Sequence, residues 1–148
     1  MARNHSLRIF FLMAIVFGAR IFAYAQADAI EHLWLDGKKD GKIQIYKAVD
    51  GLFYGKLVWI KDPLRNGKPK LDEKNPDPAR RNDPELGLLL LKKFKKTGTD
   101  TYEDGTIYDP ENGKTYSCKM KLEGDVLHVR GYIGFSLIGR TETWTKGE

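Results

Sequence analysis

The side chains best suited to nucleophilic chemistry in this chain of 148 residues are one cysteine and three histidines. A thiol becomes a strong nucleophile when a neighbouring imidazole removes its proton. Cys118 and His128 fall in adjacent predicted strands, but the alternation of residue types puts Cys118 on an apolar face and His128 on a polar one. We therefore expect a core thiol and a surface imidazole, and we predict no catalytic dyad.

The sequence also lacks other familiar catalytic and metal-binding patterns. Ser136 lies in Gly134-Phe-Ser-Leu-Ile, which has no second glycine to complete a nucleophile elbow. No Cys-x-x-Cys or His-x-x-x-His occurs, and the acidic segment at 109–113 does not have the ligand spacing of a calcium loop. No spacing singles out a carboxylate pair for glycoside hydrolysis. We predict no catalytic residue, no metal ion and no cofactor, with an unrecognised hydrolase as an alternative.

Aromatic side chains and one arginine are the better candidates for binding a ligand. Aromatic residues occur in nearly every predicted strand, so in a small barrel some of them must point inward. There they could line a ligand cavity or fill the interior completely, and the sequence leaves both possibilities open. The candidate ligand-binding residues are Tyr54, Trp59, Tyr108, Tyr116, Arg130 and Tyr132.

Strands must position these side chains, because turn signals divide the chain into short segments. Asp-Gly and Asn-Gly pairs tolerate the positive φ angles of tight hairpins, and they begin at residues 36, 40, 50, 66, 104 and 112. The segments between them are rich in β-branched and aromatic residues. They predict strands at 30–36, 42–49, 52–60, 86–95, 101–108, 114–123, 126–133 and 137–145.

The alternation within these strands predicts the fold class. In 114–123, apolar and polar residues take turns, which indicates one face on a core and one face in water. Eight such strands with short connections favour an all-β fold, a single small antiparallel up-and-down barrel of about eight strands. Closure of the barrel would leave no exposed edge. A β-sandwich is the alternative.

Two stretches do not follow this pattern. Residues 61–84 hold five of the six prolines, and a long irregular excursion of this kind is often a lid or a binding loop. Residues 83–98 begin with Asp-Pro-Glu and end with lysines and a glycine, which are local signals of a helix. Pairing with 101–108 favours a strand there, and we predict a strand with a helix as the alternative.

The N-terminus has the three parts of a signal peptide. A basic head precedes an uncharged apolar run at 9–19, and Ala23-Tyr-Ala25 provides the small residues that a signal peptidase requires. A membrane anchor is the alternative, but the run is much shorter than the ~20 residues that span a bilayer. We predict cleavage after residue 25, a single exported domain at 26–148 and a periplasmic or secreted location.

Removal of the signal peptide changes the charge argument. Residues 1–25 hold three arginines and no acidic residue, so the formal net charge falls from +5 to +2. This small charge, together with export, excludes a nucleic acid as the expected partner. The lone cysteine, Cys118, has no partner for a disulfide within the chain.

The C-terminal half contains three distinctive segments: Gly105-Thr-Ile-Tyr-Asp-Pro-Glu-Asn-Gly-Lys-Thr-Tyr116, Leu127-His-Val-Arg-Gly-Tyr-Ile-Gly134 and Gly139-Arg-Thr-Glu-Thr-Trp144. In their order and spacing they resemble a bacterial exported family that is catalogued as a domain of unknown function, DUF2147. The resemblance extends over about residues 30 to 146, and it implies a small lipocalin-like barrel in the envelope without an established activity. The chain departs from the lipocalin-type pattern at His32, where a glycine would precede the first tryptophan by two positions.

The resemblance also implies how one end of the barrel closes. In lipocalin-like barrels an arginine of the last strand packs across the tryptophan of the first strand. By this resemblance Arg140 would cover Trp34 through a cation–π contact, with Trp144 on the same face as Arg140. We expect this role to be structural.

Taken together, these features predict a binding protein. We expect the barrel to hold a small apolar or amphipathic ligand or an envelope component without chemistry, with 61–84 as a lid. A protein-interaction module of the cell envelope, built on a filled barrel, is the second hypothesis. The unrecognised hydrolase is the third.

Overall fold

A computed structural model of the chain describes residues 26–148, and these residues form a closed antiparallel barrel of eight strands. The predicted signal peptide at 1–25 lies outside the described residues. The strands are β1 (Leu33–Leu35), β2 (Gly41–Lys47), β3 (Phe53–Ile60), β4 (Leu64–Arg65), β5 (Lys68–Pro69), β6 (Leu89–Lys96), β7 (Thr101–Asp109), β8 (Lys114–Glu123), β9 (Val126–Tyr132) and β10 (Gly139–Lys146).

The barrel follows the order β1-β10-β9-β8-β7-β6-β3-β2, and β2 closes back onto β1. The short strands β4 and β5 form a separate hairpin within the connection from β3 to β6. The all-β fold class is therefore confirmed, and the sandwich alternative is excluded. Residues 26–148 contain no helix with the length and apolar character needed to cross a membrane.

Tight turns account for most of the hairpins, as the dipeptide pattern predicted. Gly51, Gly67, Gly113 and Gly124 each adopt a positive φ, between 60° and 79°, at the connections that follow β2, β4, β7 and β8. This conformation costs a residue with a Cβ more than it costs glycine. These glycines therefore help to fix where each strand ends and the next begins.

The ambiguous stretch at 83–98 contains a strand, and the helix alternative is wrong. β6 pairs with both β3 and β7, so a helix there would leave the barrel open. A local irregularity makes the strand fit: Lys93 has a φ of 62°, and Leu91 and Phe94 both become buried although they are three residues apart. Pairing of neighbouring strands thus overrides the local helix signals.

Aromatic side chains fill one end of the barrel, which we call the closed end. Phe53 and Tyr102 pack edge to face with ring centroids 5.2 Å apart, and both are buried. Residues 26–32 cover this end, and Trp34 donates a hydrogen bond from its indole nitrogen to the Ile30 carbonyl at 2.9 Å. The hydroxyl of Tyr102 donates to Asp28, so the covering segment is also held by a polar contact.

Arg140 does not cover Trp34, so this expectation from the family resemblance is wrong. Opposite Trp34 on β10 stands Lys146, whereas Arg140 pairs with Gly131 near the other end of the strand. The Arg140 side chain is 77% exposed and lies 3.6 Å from Glu142. Residues 26–32 therefore provide the cover over Trp34.

The excursion between β3 and β6 is a packed structure. Asp72 is fully buried, and its carboxylate accepts hydrogen bonds from the Tyr108 hydroxyl and the Asn75 amide, both at 2.6 Å. A Cβ on Gly113 would lie 1.9 Å from the Lys74 carbonyl oxygen, so the excursion also lies directly on the β7–β8 turn. These contacts hold residues 61–88 against one side of the barrel.

Two inward-facing glycines flank Cys118, and they provide a test of the packing inside the barrel. Gly105, Cys118 and Gly131 are paired across β7, β8 and β9. A Cβ on Gly105 would lie 2.4 Å from the Phe94 ring, whereas on Gly131 its nearest neighbour would be Ile107, at 3.4 Å. The Phe94 ring thus occupies the space that a side chain at 105 would need.

We expect Gly105→Ala to lower the free energy of unfolding by about 1–3 kcal/mol, because Phe94 must move out of a packed core. Gly131→Ala is the matched control and should stay within about 1 kcal/mol of wild type, since alanine meets only ordinary contacts there. Urea unfolding of the two variants measures the difference. Equal stabilities would show that Phe94 is not packed on Gly105.

Candidate functional site

The end of the barrel opposite the closed end holds a cavity of about 610 Å³. It lies where β1, β3, β7 and β9 end and where β2, β6, β8 and β10 begin. We call this opening the mouth. Four connections surround it, at 36–40, 61–88, 110–113 and 133–138.

The deeper walls of the cavity are apolar. They come from inward positions of several strands, and Trp144, which is only 2% exposed, lies among them. The apolar wall residues are Ile43, Leu57, Leu90, Ile107, Val129 and Trp144. The aromatic residues of the closed end do not fill this half of the barrel, so the interior is partly filled and partly open.

Three of the six predicted ligand-binding residues line the cavity, namely Tyr108, Tyr116 and Tyr132. The Tyr108 hydroxyl is already used, because it donates to the buried Asp72. Burial and this hydrogen bond raise the pKa of Tyr108 far above its ordinary value. The Tyr116 hydroxyl accepts a hydrogen bond from Asn112 at 3.0 Å, at the edge of the mouth.

The other three predicted residues lie on the outside of the barrel. Tyr54 stacks on Tyr46 with centroids 6.1 Å apart and donates to Asp50. Arg130 donates to the backbone carbonyls of Ser136 and Leu137, which places it against the outer side of the 133–138 connection.

Trp59 faces outward because of a β-bulge. The pairing of β2 with β3 shifts between Lys42 and Ile43, which pair with Trp59 and Leu57, so Val58 is an extra residue. The shift turns Trp59 outward, where it is 40% exposed and the Lys42 ammonium lies 5.4 Å from its ring centroid. Strict alternation from the buried Leu57 would have turned it inward.

The mouth is rich in charged side chains, most of them acidic. Its acidic residues are Asp36, Asp40, Asp62, Glu85, Asp109, Glu111 and Glu142, and its basic residues are Lys38, Lys70 and Arg140. The mouth thus carries a formal net charge of −4. Two of the bases are paired within it, Lys38 with Glu111 at 2.6 Å and Arg140 with Glu142 at 3.6 Å.

Two of these acids are partly buried. Burial raises the pKa of Asp36, and the nearby Asp40 adds a like charge. Burial also raises the pKa of Glu85, although Lys70 and Arg65 act in the opposite direction. Asp36 also has a structural role, since its carboxylate accepts the backbone N–H of Asp40 at 3.0 Å and so stabilises the β1–β2 turn.

The connection at 133–138 exposes an unusual group of apolar side chains beside the mouth. Phe135 is 80% exposed and Leu137 is 90% exposed, while Ile133 and Ile138 also line the cavity. Exposed apolar groups of this size are uncommon on soluble domains and often mark a site of contact. Arg130 holds the backbone of this connection from the outer side.

The Cys118 thiol and the His128 imidazole do not form a pair. Cys118 is fully buried, while His128 faces outward with its ring nitrogen 3.3 Å from Glu123. Burial raises the pKa of the Cys118 thiol to about 12. Within residues 26–148, no three histidine, cysteine, aspartate or glutamate side chains are grouped closely enough to hold a metal ion.

The sequence did not reveal the acidic mouth, because its members come from four separate parts of the chain. The order of the strands nevertheless contained one signal that acidic turns lie close together. In an up-and-down barrel every second connection lies at the same end, so the turns at 36–40 and 109–113 had to meet. Their acidic residues were interpreted only as turn formers.

Comparisons with known proteins agree with this architecture. The model of a family described as uncharacterized proteins conserved in bacteria, DUF2147, matches residues 32–146. The chain therefore belongs to this family, as its sequence motifs predicted. No curated protein sequence matches the chain.

A solved structure shares the fold. It is protein HP1028 from the human pathogen Helicobacter pylori, described as belonging to the lipocalin family. The two chains superpose with a TM-score of 0.72 at 22% sequence identity, over 80% of this chain and 83% of that one. The lipocalin-like fold is thus established for this chain.

The contact between Tyr108 and Asp72 yields a prediction about the excursion at 61–88. We expect Tyr108→Phe to lower the free energy of unfolding by about 1–3 kcal/mol, because it removes a hydrogen-bond donor from a buried carboxylate. Residues 61–88 should also be cut faster in limited proteolysis. Tyr132→Phe is the control, because Tyr132 lines the same cavity but the hydroxyl that contacts Asp72 is that of Tyr108. Equal proteolysis of both variants would contradict the anchoring role of Tyr108.

The buried thiol gives a prediction about pH. The pKa of Cys118 is raised from 9.0 to about 12, so at alkaline pH the unfolded thiol ionises while the folded one stays neutral. Its contribution to stability is complete below pH 9 and is lost as the pH rises. We expect wild type to lose about 1 kcal/mol more than Cys118→Ala between about pH 8 and about pH 10. Parallel curves of unfolding free energy against pH would contradict this.

Proposed function

We propose that this member of the family binds a small apolar or amphipathic molecule in the open half of its barrel and carries out no chemistry on it. The observation that carries the proposal is the cavity of about 610 Å³, open at one end and apolar at depth. Ligand sites typically occupy about 300–1,000 Å³ and combine apolar walls with a few polar groups. The lipocalin-like fold supports binding of a small molecule, without deciding which one.

Burial of apolar surface would supply most of the affinity. Each methylene group that leaves water for the cavity contributes about 0.8 kcal/mol. Tyr116 and Tyr132 lie near the mouth ends of β8 and β9, where their hydroxyls can orient a polar end of the ligand. Tyr108 would contribute its ring only, because its hydroxyl is committed to Asp72.

The excursion at 61–88 would serve as a wall of the site. Lys70 and Glu85 line the cavity from this side. The buried Asp72 anchors the segment to the barrel, so opening it would expose a carboxylate and break its hydrogen bond with Tyr108. Ligand entry would therefore use the opening between the other connections rather than movement of this segment as a lid.

An exported location fits this role. The sequence pattern of residues 1–25 would direct the chain out of the cytoplasm, with cleavage after Ala25. The ligand would then be an envelope component or a molecule taken up from outside.

The three segments that carry the family resemblance contribute Tyr116, Val129 and Trp144, among others, to the cavity.

The second candidate is a protein-interaction module, and the exposed connection at 133–138 favours it. Phe135 and Leu137 project from the barrel without filling the cavity. For this function the cavity would be incidental and the connection would be the contact. Changing both residues to serine would abolish capture of a protein partner but leave ligand binding in the cavity intact.

The cavity can be tested by filling it. Gly131 lines the cavity, and a side chain there would point toward Ile107 and Tyr116 at ordinary contact distances. We expect Gly131→Phe to weaken binding of the neutral fluorescent dye N-phenyl-1-naphthylamine at least about tenfold, a loss of about 1.4 kcal/mol. Dye fluorescence on titration with purified protein gives the affinity.

The matched control adds the same ring outside the cavity. Val49 is fully exposed at the β2–β3 turn of the closed end, so Val49→Phe should bind the dye as wild type does. Thermal unfolding of both variants checks that they fold. Absence of dye binding to wild type, together with no small molecule in native mass spectra of gently purified protein, would overturn the proposed function.

A further inference from the structure

The mouth differs in charge from the rest of the protein. Residues 26–148 carry a formal net charge of +2, whereas the side chains around the mouth carry −4. Acidic side chains therefore outnumber basic ones at the opening of the cavity, although the described residues as a whole are weakly basic. A ligand that enters must pass this charge, and a polar group of a bound ligand must remain close to it.

Five of the seven carboxylates at the mouth form no ion pair among residues 26–148, and Asp36 and Glu85 are two of these five. Among residues 26–148, no lysine or arginine nitrogen lies within 4.0 Å of the carboxylates of Asp36 and Glu85. Both side chains are half-buried, so they have lost part of their hydration without gaining an ion pair. Burial raises the pKa of each, and for Glu85 the charges of Lys70 and Arg65 offset only part of this effect.

The carboxylate of Asp36 lies at the boundary between the polar mouth and the apolar wall. Both Asp36 and Leu57 approach the position that a Cβ of Gly41 would occupy, with Oδ2 of Asp36 at 2.8 Å and Cδ1 of Leu57 at 3.2 Å. The absence of a side chain at Gly41 thus lets a carboxylate and an apolar wall residue come together. A ligand with an apolar body and a charged end could therefore contact the apolar wall and the carboxylate at the same time.

From this arrangement we infer that the ligand is an amphipathic cation, with an apolar body in the cavity and an amine or quaternary ammonium group at the mouth. The inference rests on the proposed function, since the cavity makes the site and the acidic residues only select the charge. A cation would complete the interactions of Asp36 and Glu85. An anion of the same shape would meet a net charge of −4.

The inference can be tested with three ligands that share a decyl chain: decyltrimethylammonium, decanol and decanoate. Each displaces the neutral dye N-phenyl-1-naphthylamine from purified protein at low ionic strength and below the concentration at which it forms micelles. We expect the cation to bind at least about tenfold more tightly than the anion, with the alcohol between them. The ratio should fall as salt is added, because part of the mouth is open to solvent.

Two double variants locate the source of the preference. Asp36→Asn with Glu85→Gln should lower the ratio of cation to anion affinity at least about threefold. Glu123→Gln with Asp125→Asn makes the same change in net charge at the β8–β9 turn of the closed end and should leave the ratio as in wild type. Equal effects of the two variants would attribute the preference to overall charge and overturn the inference.

The outcomes separate this inference from the proposed function. If the dye binds and all three decyl compounds displace it equally, the cavity is a ligand site but the inference on charge is wrong. Tighter binding of decanoate would overturn the inference in the same way. If neither the dye nor any decyl compound binds, the proposed function fails and the inference fails with it.

Discussion

Closure of the sheet is the constraint on which the rest of this structure depends. Eight strands in up-and-down order must pair β1 with both β2 and β10, and this ring leaves no free edge. Closure also fixes which connections share an end of the barrel and which side chains face the interior. The positions of the cavity, the acidic mouth and the aromatic closed end all follow from it.

Most of the fold could be predicted from the sequence because its signals are local. Turn dipeptides and alternation gave the eight barrel strands to within a few residues of their observed ends, and the family motifs agreed. The errors arose where pairing between distant strands decides the outcome. The bulge at Val58 reverses the direction of Trp59, and the pairing of β10 puts Lys146 rather than Arg140 opposite Trp34.

The candidate site was less predictable for the same reason. Tyr108, Tyr116 and Tyr132 were predicted because some of the aromatic residues of a small barrel must point inward, and these three do line the cavity. The acidic residues of the mouth come from four separate parts of the chain, and most of them have a local explanation as turn formers. Only the closed ring shows that Asp36 and Glu85, 49 positions apart in the chain, border one opening.

The unequal filling of the barrel explains how stability and an open cavity can coexist in so small a domain. Residues that pack tightly, such as Phe94 over Gly105 and Phe53 against Tyr102, lie toward the closed end. The open half is held from outside instead, by the excursion whose Asp72 is bound to Tyr108. An empty volume weakens a core in proportion to its size, so a cavity is tolerated where other contacts maintain the wall. The Tyr108 side chain joins these two requirements, since its ring faces the cavity while its hydroxyl holds the segment that encloses it.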